Sequence, residues 1–281
     1  MKKILLLTIG LFCLAVCKGQ TKNEATLPVS TQMTISKANI FNQNNEILNV
    51  FLIANLTNQS VGTGFLLHNG QIITNEHVVR NGILSQIALF SPNGQRYGLI
   101  QIAVDTVRDL AILTPSRKIL GGFDLGDDSA VSIGNQTYTW GFPLGYNGPS
   151  PLLSVGYLAG INTIQPYPNK TVKHLVVNGA FNPGNSGGPL IVNGKVIGVV
   201  QSKAAPITPV IASALKALLD NKSGMMYTNT DATGKQTSVS EAQVIGQILL
   251  YYRELAQVMI GEAVTVSELK NFLNQNNIKG Y

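Results

Sequence analysis

Residues 182–200 constrain this chain more than any other stretch. They read Asn-Pro-Gly-Asn-Ser-Gly-Gly-Pro, then an apolar run, then Asn193-Gly194, then a second apolar run. Glycine and proline at that density mean a backbone taking shapes closed to ordinary residues. Asn-Gly between apolar runs is a strong hairpin signal. Ser186 sits at the centre of the glycines. One reading is a loop that merely leads into the hairpin. The other is a nucleophile turn, whose glycines bring backbone N–H groups to where a developing oxyanion needs donors. The second reading requires a histidine and an acid elsewhere in the chain.

Both are present upstream. Residues 62–67 (Gly-Thr-Gly-Phe-Leu-Leu) read as a strand, His68-Asn69-Gly70 as a turn and residues 71–75 as the returning strand. His77 follows at once. Asp109 then opens the apolar run Leu110-Ala111-Ile112-Leu113. The order His77, Asp109, Ser186 is one of those in which base, orienting acid and nucleophile recur. His68 and His174 have no such setting and read as a turn residue and a strand side chain. Glu76 abuts His77, but neighbouring side chains on extended backbone point apart, so it is not the acid.

These three segments resemble the trypsin-like serine peptidases, most of all their bacterial HtrA/Deg branch. Thr74-Asn75-Glu76-His77-Val78-Val79, Asp109-Leu110-Ala111-Ile112-Leu113 and Gly184-Asn185-Ser186-Gly187-Gly188-Pro189-Leu190 are similar to that branch's three catalytic motifs. The resemblance covers Val61 to Gln201, with an echo at the C-terminus. It implies a mainly β fold of two six-stranded antiparallel barrels, with a helical insertion and a C-terminal helix. The first barrel would span residues 46–125 and the second 126–281. Residues 261–273 would be the closing strand and the start of the last helix, leaving residues 206–257 as an insertion and no room for a PDZ module behind it.

The residues themselves supply the strands. Val50-Phe51-Leu52-Ile53, Ile87-Ala88-Leu89-Phe90, the run 97–104 and the run after Asp109 join those already named, giving six in the first half. The insertion predicts two amphipathic helices, over 209–221 and from the capping box Ser238–Glu241 to Met259, joined by a polar, mobile link. Such an insertion either enlarges the core or acts as a lid. Thr265–Glu268 is a second capping box.

The N-terminus has Lys2-Lys3, an apolar run from Ile4 to Val16 and then small or polar residues, the layout of an export signal over residues 1–19. Residues 20–45 form a polar lead-in. Both cysteines, Cys13 and Cys17, fall inside the signal, so no disulfide framework holds the mature chain. Leu14-Ala15-Val16-Cys17 also resembles a lipobox, with Val16 a poor fit; lipidation at Cys17 would be the only route to a membrane. The formal charge of +6 drops to about +3 once the three lysines of residues 1–19 are removed. No basic run or stacking patch appears, which argues against nucleic acid as a partner.

The resemblance implies roles. Ser186 attacks the scissile carbonyl, His77 moves the proton and Asp109 holds the imidazole. The oxyanion hole comes from Gly184 and Ser186, with Asn185 between them. Ala180 lies at the base of the pocket for the side chain before the cut, with Phe181, Val200, Gln201, Ser202 and Lys203 around it. That pocket holds no acid for a basic side chain, so the preference is loose and aliphatic. No metal or cofactor is expected, and the partner is a polypeptide substrate. The expected activity is that of an exported serine endopeptidase; the alternative is a binding or scaffold protein that keeps the fold with little turnover. An esterase elbow would read Gly-x-Ser-x-Gly, with its acid after the serine; here the acid comes first.

Overall fold

The computed structural model describes residues 46–146, 148–203, 208–230, 236–255 and 260–281. The export segment, the lead-in, Cys13 and Cys17 lie outside the described residues, as does the end of the second insertion helix. The chain forms two compact units. One holds residues 26–204 and 258–281, and the described part of the other falls within residues 205–257.

In the first unit, β1 (Val50–Asn55), β2 (Ser60–Leu66), β3 (Ile72–Thr74), β4 (Ile87–Phe90), β5 (Arg96–Tyr97), β6 (Leu99–Asp105) and β7 (Leu110–Pro115) make one antiparallel sheet. Its order is β5-β4-β1-β2-β3-β7-β6. Sequence reading expected six strands closing into a barrel. The structure has seven in an open order, because the run 97–104 breaks at Gly98 into a short strand against β4 and a long one against β7. Residues β8 (Gln136–Gly141), β9 (Leu152–Tyr167), β10 (Lys170–Gly179), β11 (Pro189–Val192), β12 (Lys195–Lys203) and β15 (Gly261–Thr265) close a six-stranded barrel in the order β10-β15-β12-β11-β8-β9. Asn193 and Gly194 join β11 to β12 with φ of +50° and +75°, the mirror-image turn that suits twisted strands.

The strands of the first sheet alternate between two apolar layers. Phe51, Ile53, Leu66 and Ile72 fill one cluster with Val78 and Leu89. Their neighbours Val50, Phe65, Leu67 and Ile73 join Trp140, Phe142, Ile191 and Val199 of the second barrel in another. A strand buried on both faces must be apolar at every position, which is why these runs do not alternate with polar residues. Each such side chain contributes roughly 1.5–3 kcal/mol by leaving water. A third cluster, around Leu158, Leu175, Val177, Phe181 and Val200, fills the second barrel. Polar ties reinforce the seam: the Glu46 carboxylate accepts from Tyr138 Oη at 2.9 Å and Trp140 Nε1 at 3.1 Å.

Among the described residues, three helices stand beside the short α1 (Glu76–Val79). In the second unit, α2 (Pro209–Asp220) starts on Thr208, whose hydroxyl accepts from Ile211 N, with Pro209 in the first turn. It packs on α3 (Glu241–Leu255), where Gly246 lies under Leu218 and Leu219. The link between them is not a plain polar connection. It contains a hairpin of β13 (Met226–Thr230) and β14 (Gln236–Ser240). The box that starts α3 is Ser240 with Gln243, exchanging hydrogen bonds of 3.2 and 3.0 Å, two residues later than Ser238–Glu241. In the first unit, α4 (Val266–Gln275) follows β15 and is capped by Thr265. Its Glu268 does not reach back to the cap; it accepts from Arg108 Nε at 2.7 Å and Lys173 N at 3.2 Å. No described helix is long and apolar enough to cross a membrane.

Candidate active site

His77 enters the site on α1, which begins where β3 ends, and Asp109 stands at the start of the adjacent strand β7. Asp109 has φ of +54°, a left-handed conformation that costs a non-glycine residue roughly 1–2 kcal/mol. Hydrogen bonds hold it there. Its carbonyl accepts from Asn75 Nδ2 at 2.9 Å and from Glu76 N at 3.2 Å. Its carboxylate then meets His77 twice: Oδ1 accepts from the His77 backbone N–H at 2.9 Å, and Oδ2 lies 2.7 Å from Nδ1. The acid therefore fixes both the ring and the backbone that carries it. Asp109 is 13% exposed and His77 37%, so the outer part of the ring stays open to an arriving group.

Ser186 sits in the turn between β10 and β11. Gly184 and Gly187 have φ of +98° and +86°. A Cβ at Gly184 would collide with the Phe142 carbonyl, and one at Gly187 with the Thr63 carbonyl and the Thr74 hydroxyl. Only glycine fits either place. The loop is tied to the first sheet and to the barrel: Thr63 N donates to Ser186 O at 2.8 Å and Gly187 N to Val200 O at 2.7 Å. The Asn185 N–H is turned inward to Asn182 O at 3.0 Å, and its carboxamide is buried. Asn185, which the sequence places between the two oxyanion donors, thus holds the loop, with its own N–H already engaged. The N–H groups of Gly184 and Ser186 have no acceptor among the described residues, which leaves that pair free to receive an oxyanion.

Gln201 connects the two halves. Pairing between β12 and β15 slips between Val200 and Ser202, leaving Gln201 as the bulged residue. A bulge frees backbone groups and re-aims a side chain. Here the freed carbonyl accepts from Ser186 Oγ at 2.8 Å, and Nε2 donates to Asp109 Oδ2 at 3.0 Å. The sequence places Gln201 in the wall of a substrate pocket, and in the structure its side chain reaches the acid. Phe181 and Val200, also expected in that wall, are core residues of the second barrel at 3% and 1% exposure. Ala180 is half-buried beside them. The side chains of Ser202 and Lys203 lie outside the described residues.

Thr63 escaped the sequence reading. Its hydroxyl donates to Gly184 O at 2.6 Å and accepts from Phe142 N at 3.1 Å, pinning the serine loop from the first sheet. The only local sign is a threonine between two glycines. His68 pairs with Asp124 on the surface at 2.8 Å. His174 is buried with Nδ1 3.2 Å from Glu262 Oε2, and burial pushes its pKa below the ordinary histidine range against the pull of that carboxylate. Glu76 turns away from His77 to Arg80.

Residues 62–199 match the model for the trypsin-like peptidase domain. The serine protease Do-like HtrB of Bacillus subtilis is 35% identical over 142 residues, which cover 48% of this chain and 30% of that protein. A Chlamydia muridarum protein named "Probable periplasmic serine endoprotease DegP-like" is 32% identical over 140 residues, covering 49% of this chain and 27% of that one. The chain thus spans less than a third of the length of these curated relatives. Among solved structures, the HtrA-type protease AlgW with tripeptide gives a TM-score of 0.55 at 20% identity, over 84% of this chain and 62% of that one. The inactive form of the Rv3671c protease gives 0.55 at 18% identity, over 83% and 93%. At those identities the likeness is one of fold.

Proposed function

This chain carries a trypsin-like peptidase domain akin to that of the HtrA and DegP-like proteases, and from that premise we propose that it is a serine endopeptidase acting through Ser186, His77 and Asp109. The observation that carries the reading is the double grip of one carboxylate on His77, through the ring and through the backbone. With Nδ1–H donating to Asp109, the lone pair of Nε2 is left to accept a proton.

In the resting arrangement the Ser186 hydroxyl donates to the Gln201 carbonyl. Reaction begins when it turns to His77 Nε2. His77 takes the proton as Oγ attacks the substrate carbonyl, and the oxyanion settles on the Gly184 and Ser186 N–H groups. His77 then gives the proton to the leaving amine, forming an acyl-enzyme. Water, deprotonated by the same imidazole, releases the acid and restores Ser186. Asp109 holds the ring, and its carboxylate stabilises the imidazolium.

The substrates are polypeptides, unfolded or exported, with a loose preference for small or aliphatic side chains before the cut. Support comes from the small side chain of Ala180 and from the absence of an acid among residues 180, 181 and 200–203. Export rests on Lys2-Lys3 and the apolar run Ile4–Val16, and on the periplasmic name of one relative. Processing then occurs at residues 19–20, or at Cys17 if lipidated. Purified protein incubated with casein tests the activity: wild type should degrade it, and Ser186→Ala should not while melting as wild type does. Equal cleavage by the two proteins would refute the mechanism.

A further inference from the structure

Ser186 is flanked on two sides. On one, β12 receives its hydroxyl at Gln201 and the Gly187 N–H at Val200. On the other, Thr63 of β2 donates to its carbonyl. The His77 helix belongs to this second side: Val78 packs where Gly62 has no side chain, and Ser60 Oγ donates to Val78 O at 3.2 Å. In the proposed reaction His77 protonates the leaving amine. The half of the substrate beyond the cut therefore starts at His77, one helical turn from Arg80.

Arg80 lies one helical turn past His77 and caps α1. Its carbonyl is held by Asn55 Nδ2 at 3.2 Å and Asn58 Nδ2 at 3.0 Å. Its side chain is held by Glu76, whose carboxylate accepts from Nε at 2.9 Å and from Nη2 at 2.5 Å. The pairing is asymmetric in burial: the Glu76 side chain is 7% exposed and that of Arg80 is 55%. A buried carboxylate thus grips one edge of the guanidinium and turns the other outward. Nη1 has no partner among the described residues. This is more construction than a surface helix pair needs, since exposed pairs of this spacing stabilise a helix only weakly.

We propose that Arg80 is a substrate-binding residue for the leaving half of the polypeptide, its outer Nη edge donating to a main-chain carbonyl there. The inference rests on the peptidase reading of the site. A neutral carbonyl suits the place better than a carboxylate. Glu76 already cancels the arginine's charge, and Asp109 adds a negative charge close enough to act on it. What remains is a strong, fixed donor with little net attraction for anions.

The test compares substrates with and without a leaving peptide. One is an acyl p-nitrophenyl ester; the others are quenched fluorescent peptides with four residues past the cut, carrying Gln or Glu at the second of them and an amidated end. Arg80→Gln should lower kcat/KM about tenfold on both peptides and leave the ester unchanged, as loss of one charge-assisted hydrogen bond requires. Arg80→Lys keeps a cation beside Glu76 but loses the outer edge, so it should show the same pattern even if Arg80→Gln folds poorly. Equal losses on ester and peptides, or none on either, would overturn the proposal. A loss confined to the Glu peptide would replace the carbonyl with a carboxylate and overturn the assignment made here. If wild type hydrolyses neither the ester nor the peptides, the peptidase reading itself fails, and this proposal with it.

Discussion

Gln201 touches Asp109 and Ser186 at once: Nε2 donates to Asp109 Oδ2 at 3.0 Å, and the carbonyl accepts from Ser186 Oγ at 2.8 Å. The bulge at this residue makes both contacts possible. The side chain acts on the carboxylate oxygen that also faces His77 Nδ1, so it helps to hold the acid in position.

Gln201→Ala should therefore lower kcat about tenfold with KM nearly unchanged. It removes one hydrogen bond to a charged acceptor, about 1.5–3 kcal/mol, of which part is recovered by water. A positioning role also predicts a changed pH–rate profile, because the carboxylate that orients His77 would be less firmly held. Steady-state kinetics across pH on the p-nitrophenyl ester would read both effects. An unchanged profile together with an unchanged kcat would rule the role out.

Gly184→Ala tests the turn that aims the proposed oxyanion donors. The substitution places a Cβ against the Phe142 carbonyl and demands φ of +98° from an L-residue. We expect a stability loss of at least about 1–2 kcal/mol, and a fall in kcat of about a hundredfold or more as the N–H pair is displaced. Thermal melting and ester hydrolysis measure the two separately. A variant with wild-type kcat would mean that the Gly184 N–H takes no part.

What was legible in the sequence was local. Asn193-Gly194 announced its hairpin, and glycines around Ser186 announced a turn, because φ > 0 restricts residue choice at the position itself. Thr63 and Gln201 were illegible as site-builders. Their partners lie 121 and 92 residues away, and nothing near either residue specifies a distant carbonyl or carboxylate. The hairpin within residues 226–240 was missed for another reason: its strands are short and mostly polar, and neither carries an apolar run that marks a strand. Gly98 looked like part of one strand and proved to be where two strands part company. Glu268 looked like half of a capping box, and tertiary contacts with Arg108 claimed it.

That last contact carries its own expectation. Arg108 precedes the acid Asp109, and both it and Glu268 are largely buried. Arg108 also binds Asp105 at 2.6 Å. Glu268→Ala would strip one carboxylate from a buried guanidinium and leave the Lys173 N–H without its acceptor. We expect a cost of about 3 kcal/mol. Denaturant titration should show a lower midpoint with an unchanged slope. A loss below about 0.5 kcal/mol would place the pair with ordinary surface ion pairs.

The last expectation concerns acid stability. His174 is buried between strands β10 and β15. The acids acting on it are Glu262 at 3.2 Å, Glu268 and Asp109, and burial outweighs all three, so its pKa in the fold is lowered. In the unfolded chain the same group titrates near 6.5. Below that pH the unfolded state takes up a proton that the folded state resists, so stability must fall with pH from about 6.5 down to the folded pKa. Above about pH 7 both states are neutral at this residue and the contribution is flat. His174→Gln removes the titration while keeping a polar group of similar length. The melting temperature of wild type should fall between pH 7 and pH 5 more steeply than that of the variant, whatever the remaining carboxylates do to both. Parallel curves over that range would show that His174 binds a proton in the fold as readily as in the unfolded chain.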